Sequence, residues 1–209
     1  MYNYYCWVFT GIFYLKVLLH SQVMNIVIAR YQEDVSWSKE FSNVIIYNKG
    51  EPLDQYYNEI KLDNVGREAH TYFKHICDNY DNLDEYTIFL QGNPFDHSPN
   101  IIQNLKKYTD ETIDLDFEFL SEWIIECSLN GCRHHPGLPL RKIYEHIFKN
   151  KGDDKPFTFG AGAQFIVSKK QILKHSREFY LNILNLVEKD ICPIEAYVLE
   201  RFYKLIFCI

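Results

Sequence analysis

A glycine placed directly before a helix whose first turn carries a cation and a carboxylate is an anion-binding arrangement. Asn64-Val65-Gly66-Arg67-Glu68-Ala69-His70-Thr71-Tyr72 has that form. Backbone N–H groups at a helix start attract negative charge, and Arg67 beside them suits a phosphate or diphosphate. A structural account competes with this one: Asn64 caps the helix, Glu68 complements its dipole and Arg67 pairs with a neighbouring carboxylate. That account leaves Arg67 and His70 without a required task. Two further polar groups follow apolar runs, Arg30-Tyr31-Gln32-Glu33-Asp34 and Asn48-Lys49-Gly50. The first also reads as a solvated turn ahead of a short helix capped by Ser36. A third group, Gln91-Gly92-Asn93-Pro94-Phe95-Asp96-His97, brings a carboxylate and an imidazole able to hold a divalent cation or act as a base. Asp96 equally serves as a turn cap and His97 as a surface ring. Asp114-Leu115-Asp116 has the spacing of two carboxylates sharing a metal but follows no apolar strand. Gly160-Ala161-Gly162-Ala163-Gln164 permits close backbone approach to a ligand or a helix, without the order of a dinucleotide fingerprint or a P-loop.

The elements that must position these groups are legible as runs. Asn25 to Ala29, Val44 to Tyr47 and Tyr86 to Leu90 are short, continuous and apolar, the pattern of strands covered on both faces. Ala69, Phe73, Ile76, Cys77 and Tyr80 recur at helical spacing, which predicts a helix from about Arg67 to Tyr80. Strand, helix and strand in succession predict an α/β sheet whose ligand edge is formed by the strands' carboxyl ends. Further helices are expected around Ile101 to Tyr108, Lys169 to His175, Arg177 to Val187 and Ile194 to Phe207. A short helix is expected near Phe117 to Glu126, and a strand over Gln164 to Val167. The expectation is a single three-layer domain over residues 24–209 with a mostly parallel or mixed central sheet.

Composition limits the classes. The chain has 209 residues, 47% hydrophobic and 24% charged, enough to bury a core without a disulfide or metal staple. A net charge of -6 offers no broad cationic face, so nucleic acid is not expected as a partner. Aromatic residues make up 16% of the chain and belong mostly to the core, with some rings left to stack on a sugar or base. The six cysteines include no C-x-x-C pair and read as reduced thiols. Cys127, Cys132, His134 and His135 fall within nine residues, which fits either a metal site or a polar turn. Residues 1–23 are apolar, but Tyr4 to Leu19 is short for a span and contains Lys16. They read as an upstream extension, a weak membrane anchor or a cleaved signal, and a cytoplasmic location is favoured over an anchored one.

Taken in order, Ile28 to Asp34 with Trp37, Ile46 to Gly50, Asn64 to Tyr72, Thr87 to His97, Gly160 to Phe165 and Glu200-Arg201 resemble the domain of unknown function 3431 family. That family in turn is similar to nucleotide-sugar glycosyltransferases of the GT-A type. The resemblance implies a GT-A-like fold and a sugar nucleotide lying across the carboxyl ends of the strands. It implies that Arg30, Glu33 and Asp34 touch the nucleotide, Asn48, Lys49 and Gly50 the ribose side, and the helix start at Gly66 and Arg67 the diphosphate, with Asp96 or His97 handling a metal or the acceptor hydroxyl. Asn64, Glu68, Gln91 and Gln164 complete the candidate binding set, and Asp96, His97 and His70 are the candidate catalytic residues. One departure stands out: where GT-A enzymes carry a D-x-D after a strand, this chain reads Gln91-Gly92-Asn93. A divalent cation such as manganese is then held otherwise or not used.

The resulting expectation is a glycosyltransferase-like enzyme with a nucleotide-sugar donor and an unidentified acceptor. The alternatives are a non-catalytic carbohydrate-binding or scaffold protein of the same fold, or a phosphoester hydrolase using Asp96, His97 and His70. Membrane contact is expected only through residues 1–23.

Overall fold

The apolar runs become the middle of a six-stranded sheet because their residues alternate between two buried layers. In this computed structural model, which describes residues 24–110 and 113–208, strand β1 is Met24–Arg30. Its Val27 and Ala29 enter one core, while Ile26 and Ile28 enter another on the opposite face. With both faces covered, no polar alternation is tolerated, which is why the run reads as continuous. The other strands of the sheet are β2 (Val44–Asn48), β3 (Glu59–Lys61), β4 (Tyr86–Gln91), β5 (Phe117–Phe119) and β8 (Phe165–Ser168). Their order is β3-β2-β1-β4-β8-β5. The pairs β3–β2, β2–β1 and β1–β4 are parallel, whereas β8 is antiparallel to both β4 and β5, so the sheet is mixed. A separate two-stranded sheet joins β6 (Ile124–Cys127) to β7 (Phe157–Gly160).

Helices cover both faces. Helix α1 (Arg67–Asn79) presses Ala69, Tyr72, Phe73 and Ile76 onto the sheet, and α5 (Arg177–Val187) and α6 (Ile194–Cys208) share that layer. Tyr72, Phe89, Phe165 and Tyr203 pack ring against ring there, with centroids 4.6–5.9 Å apart. The opposite core takes Ile101 and Leu105 from α2 (Ile101–Asp110), together with Ile88, Leu90 and Ile166. Helix α3 (Leu140–Phe148) and the single-turn α4 (Lys169–Ile172) complete the set. The fold is therefore α/β with helices on both sides of a mixed sheet.

The expected helix near Phe117 to Glu126 is replaced by β5 and β6. Phe117 and Phe119 alternate with exposed Glu118, a two-residue period, and pair with Val167 and Phe165 across β8. The helix expected over Lys169 to His175 ends at Ile172, because the Ser176 hydroxyl caps a new helix by accepting the Phe179 N–H. Strand β3 and helix α3 were not expected: β3 has three residues at an edge, and α3 follows Pro136 and Pro139, which mask its start. Residues 1–23 lie outside the described residues. Among the described ones, no helix is long and apolar enough to cross a membrane.

Candidate functional site

After β1 the chain moves to β2 and β3 on one side, then returns to β4 on the other, so the switch point of the sheet lies between β1 and β4. Ligands of open α/β sheets bind outside the carboxyl ends of the strands at such a point. A crevice of about 270 Å³ opens beside it, over the carboxyl ends of β1 and β2 and the start of the helix that leads to β4, lined among others by Arg30, Glu33, Lys49, Asn64, Arg67 and Glu68. Three segments distant in sequence supply these six groups.

Much of the polar chemistry at this edge is spent on holding the edge in shape. The Arg30 guanidinium donates to the carbonyl of Glu33 at 2.9 Å, to Asn48 Oδ1 at 2.7 Å and to the carbonyl of Glu51 at 3.0 Å. Asn48 is fully buried, and its amide donates to the Glu51 carbonyl and to Glu59 Oε1. Every polar atom of Asn48 is thus engaged, which leaves none for the ribose contact the resemblance implies. A Cβ on Gly50 would lie 1.6 Å from the Tyr31 carbonyl oxygen, so the β1 and β2 loops touch where only glycine fits. Asp34 accepts from the N–H and hydroxyl of Ser36, and those bonds hold its carboxyl below the usual range. Asp34 forms a turn, and Ser36 is its partner rather than a helix cap. Glu33 Oε2 accepts the N–H groups of Tyr31 and Gln32 and lies against Gly92, but the residue still lines the crevice.

The crevice floor is the start of α1. Gly66 (φ 64°) and Arg67 (φ 50°) are consecutive left-handed residues, a conformation that costs a non-glycine side chain about 1–2 kcal/mol. The turn brings the carbonyls of Val65 and Arg67 onto the Lys49 ammonium, each at 2.5 Å. Burial pushes Lys49 down to about 8, against the pull of Glu68. The Arg67 guanidinium lies 3.4 Å from Glu68 and 3.2 Å from the Tyr197 hydroxyl, and stacks over the Tyr197 ring at 4.8 Å. Glu68 is fixed by Gln91, whose amide donates to Oε1 at 2.5 Å. Gln91 thereby ties the end of β4 to the crevice. The helix begins its own bonding at His70, whose N–H meets the Gly66 carbonyl at 3.1 Å, so the N–H groups before it have no partner within the helix.

The remaining predicted residues have other surroundings. His70 is 7% exposed, its Nδ1 lacks a partner, and burial drives it down to about 4, so it is neutral at neutral pH. Asp96 is exposed and accepts from Asn93 at 3.3 Å. The His97 ring meets Trp123 edge-on at 5.4 Å and sits where a side chain on Gly162 (φ 85°) would stand. No hydrogen bond, ion pair or ring contact joins His70, Asp96 and His97 among the described residues. Gln164 is fully buried and donates to the Pro94 carbonyl at 3.0 Å, bracing the loop before Asp96.

Sequence reasoning missed Tyr31, Ile191, Cys192 and Tyr197. The first three line the crevice, and the fourth holds Arg67. Cys192 lies 3.3 Å from the Tyr197 hydroxyl and 3.7 Å from Arg67, contacts that lower its thiol below the usual value. Tyr31 stood in the polar cluster after β1 without a role of its own, and no local pattern marks the other three, since only folding brings the turn before α6 and its first residues to the start of α1. Among the described residues, no three His, Cys, Asp or Glu side chains converge as a metal site. Neither the Cys127 to His135 cluster nor the Asp96 loop, read as able to hold a cation or act as a base, forms such a preassembled cage.

The charged crevice lies at the edge of a mixed α/β sheet where ligands of open sheets commonly bind. The model of the family described as Protein of unknown function (DUF3431) matches residues 26–208, and the chain belongs to that family. No curated protein and no solved structure matches it.

Proposed function

We propose that the chain is a glycosyltransferase-like enzyme that holds a nucleotide-activated sugar across the carboxyl ends of β1, β2 and β4. The observation that carries this reading is the joining of Lys49 and Arg67 with Glu33 and Glu68 in one crevice beside the switch point. Displacement at the anomeric carbon releases a nucleoside diphosphate, and the negative charge growing on it needs fixed cations nearby. Lys49 and Arg67 supply them. Glu68, itself held by Gln91, orients Arg67. Tyr31 is 44% exposed at the rim and offers a ring face for a base. A volume of about 270 Å³ falls just below the usual range of small-molecule pockets, so the crevice takes part of a donor and the rest extends beyond it. The GT-A-type likeness is part of this proposal, and the open sheet with its ligand edge at the switch point supports it. No step is assigned to a metal.

One observation favours a second reading, a sugar-nucleotide-binding protein without turnover: neither Asp96 nor His97 lines the crevice. The hydrolase reading draws no support from the separate surroundings of His70, Asp96 and His97. Calorimetric titration with uridine and guanosine diphosphates, followed by donor hydrolysis with and without manganese, tests the proposal. Binding with hydrolysis or transfer is the expected result. Binding without turnover transfers the case to the second reading, and absence of binding to either diphosphate rejects both.

A further inference from the structure

Cys127 ends β6, and the chain then reverses through Leu129 and Asn130. Ser128 and Gly131 form an antiparallel bridge with both bonds made, Ser128 N–H to Gly131 O at 3.2 Å and Gly131 N–H to Ser128 O at 3.1 Å. In an antiparallel ladder, the pair next to a doubly bonded pair is a non-hydrogen-bonded pair, whose Cα atoms stand about 4.5 Å apart with side chains close together. Carried one residue outward, the register sets Cys127 opposite Cys132. That separation lies within the span a disulfide bridges without backbone movement, about 4.4–6.8 Å. The side chains agree with the register: burial and the nearby Cys132 thiol together raise the Cys127 thiol, and Cys127 Sγ reaches the Gly131 carbonyl at 3.4 Å. Both residues are buried, at 4% and 5% exposure, and both are free thiols in this structure.

We propose that Cys127 and Cys132 are a redox modification site, a dithiol that closes into a cross-strand disulfide by exchange with a small-molecule disulfide. One thiolate attacks the small disulfide, forms a mixed disulfide and expels one thiolate. The second cysteine then attacks the mixed disulfide at the protein sulfur and expels the other. Two protein S–H bonds are lost and one S–S bond forms, while the small disulfide is reduced to two thiols that take up the two protons. Burial raises the Cys127 thiol to about 12, so the exchange is slow and proceeds over hours. Closure fastens the segment that leads to His135, whose N–H bonds the Cys132 carbonyl at 3.2 Å and whose ring meets Tyr197 at 4.8 Å.

The test uses the full chain, folded, incubated with excess oxidised glutathione or with reduced glutathione, then denatured, alkylated and cleaved at Lys and Arg. Cleavage after Lys107 and Arg133 releases both cysteines on one peptide with no third. After oxidation that peptide should lack two hydrogens and carry no alkyl group, whereas after reduction it should carry two. Cutting of the folded protein at Arg133 should also be about tenfold slower in the oxidised form. In Cys132→Ser the peptide should lose the cross-link and take one alkyl group. The wild-type masses decide the matter even if that variant does not fold. Two alkyl groups, or glutathione adducts alone, in the oxidised sample would overturn the proposal.

Discussion

At the residue scale the crevice divides into groups that shape it and groups that line it, and Arg67 does both at a conformational cost. Its left-handed backbone is unfavourable, while its guanidinium sits among Glu68, Tyr197 and Cys192. Replacing Arg67 with Ala removes the side chain and keeps the strain; replacing it with Gly removes both. Each variant should weaken uridine or guanosine diphosphate binding by about 2 kcal/mol, read by calorimetry. Arg67→Gly should nevertheless be about 1 kcal/mol more stable to urea than Arg67→Ala. Equal stabilities would show that the turn carries no strain. Lys49 makes a second prediction through its lowered ionisation. An anion favours its charged form, so diphosphate affinity should hold steady below pH 8 and fall as pH rises above it. Lys49→Gln should bind weakly and lose that pH dependence. A fall persisting in the variant would assign the titration to another group. Lys49, Arg67 and Glu68 were legible in the sequence because each follows a recognisable strand end or helix start. Arg30, Asn48 and Asp34 were recognised as polar residues at a sheet edge, but the sequence does not record that their hydrogen-bonding capacity is directed to neighbouring loops.

At the scale of elements, α1 links the site to the core, and it carries two buried imidazoles. His70 and His75 are both held near 4 by burial, and His75 bonds the Tyr47 hydroxyl at 3.1 Å. Their folded values lie below the ordinary 6.5, so between about pH 6.5 and 4 the unfolded chain binds more protons than the folded one. Stability from these groups is therefore complete above 6.5 and lost as pH falls toward 4. The expected loss from pH 8 to pH 5 is on the order of 1–2 kcal/mol per histidine, measured by urea unfolding. His75→Gln should flatten the dependence by about half, and an unchanged slope would remove His75 from the account. The same helix was legible at its first residue and nearly at its last, since its apolar spacing is supported by tertiary packing. The region of Phe117 to Glu126 was not. Its aromatic and acidic residues fit a helix or a strand locally, and the pairings that decide the matter, of β5 with β8 and of β6 with β7, are made with residues about 30–50 positions away.

At the scale of the whole molecule, the crevice exists only because the two halves of the chain meet. Residues near 30 and 49 follow parallel strands and residue 67 opens α1, while Ile191 and Cys192 lie in the turn before the last helix and Tyr197 lies in its first turn. The Gly66 N–H bonds the Asp190 carbonyl at 2.8 Å, and Arg67 reaches Tyr197, so the floor of the site and its C-terminal wall are one connected structure. A ligand held there should stiffen both segments together. In hydrogen-exchange measurements, a saturating nucleoside diphosphate is expected to protect amides in residues 64–70 and 190–198 in the same titration. At about a hundred times its dissociation constant it should raise the global unfolding free energy by about 2.7 kcal/mol. A larger hollow of about 630 Å³ lies elsewhere, between Tyr144, Gly152, Phe157 and Leu205. It holds Lys151 and Lys155 with Asp153 on an exposed loop, and it is remote in sequence from the switch point. Size alone would choose that hollow, whereas convergence of charge at the carboxyl ends of parallel strands chooses the smaller one. Protection confined to residues 150–157 would place the ligand in the larger hollow and remove the basis for a nucleotide at β1 and β4. Protection of 64–70 without 190–198 would leave the ligand at α1 and take Cys192 and Tyr197 out of the site.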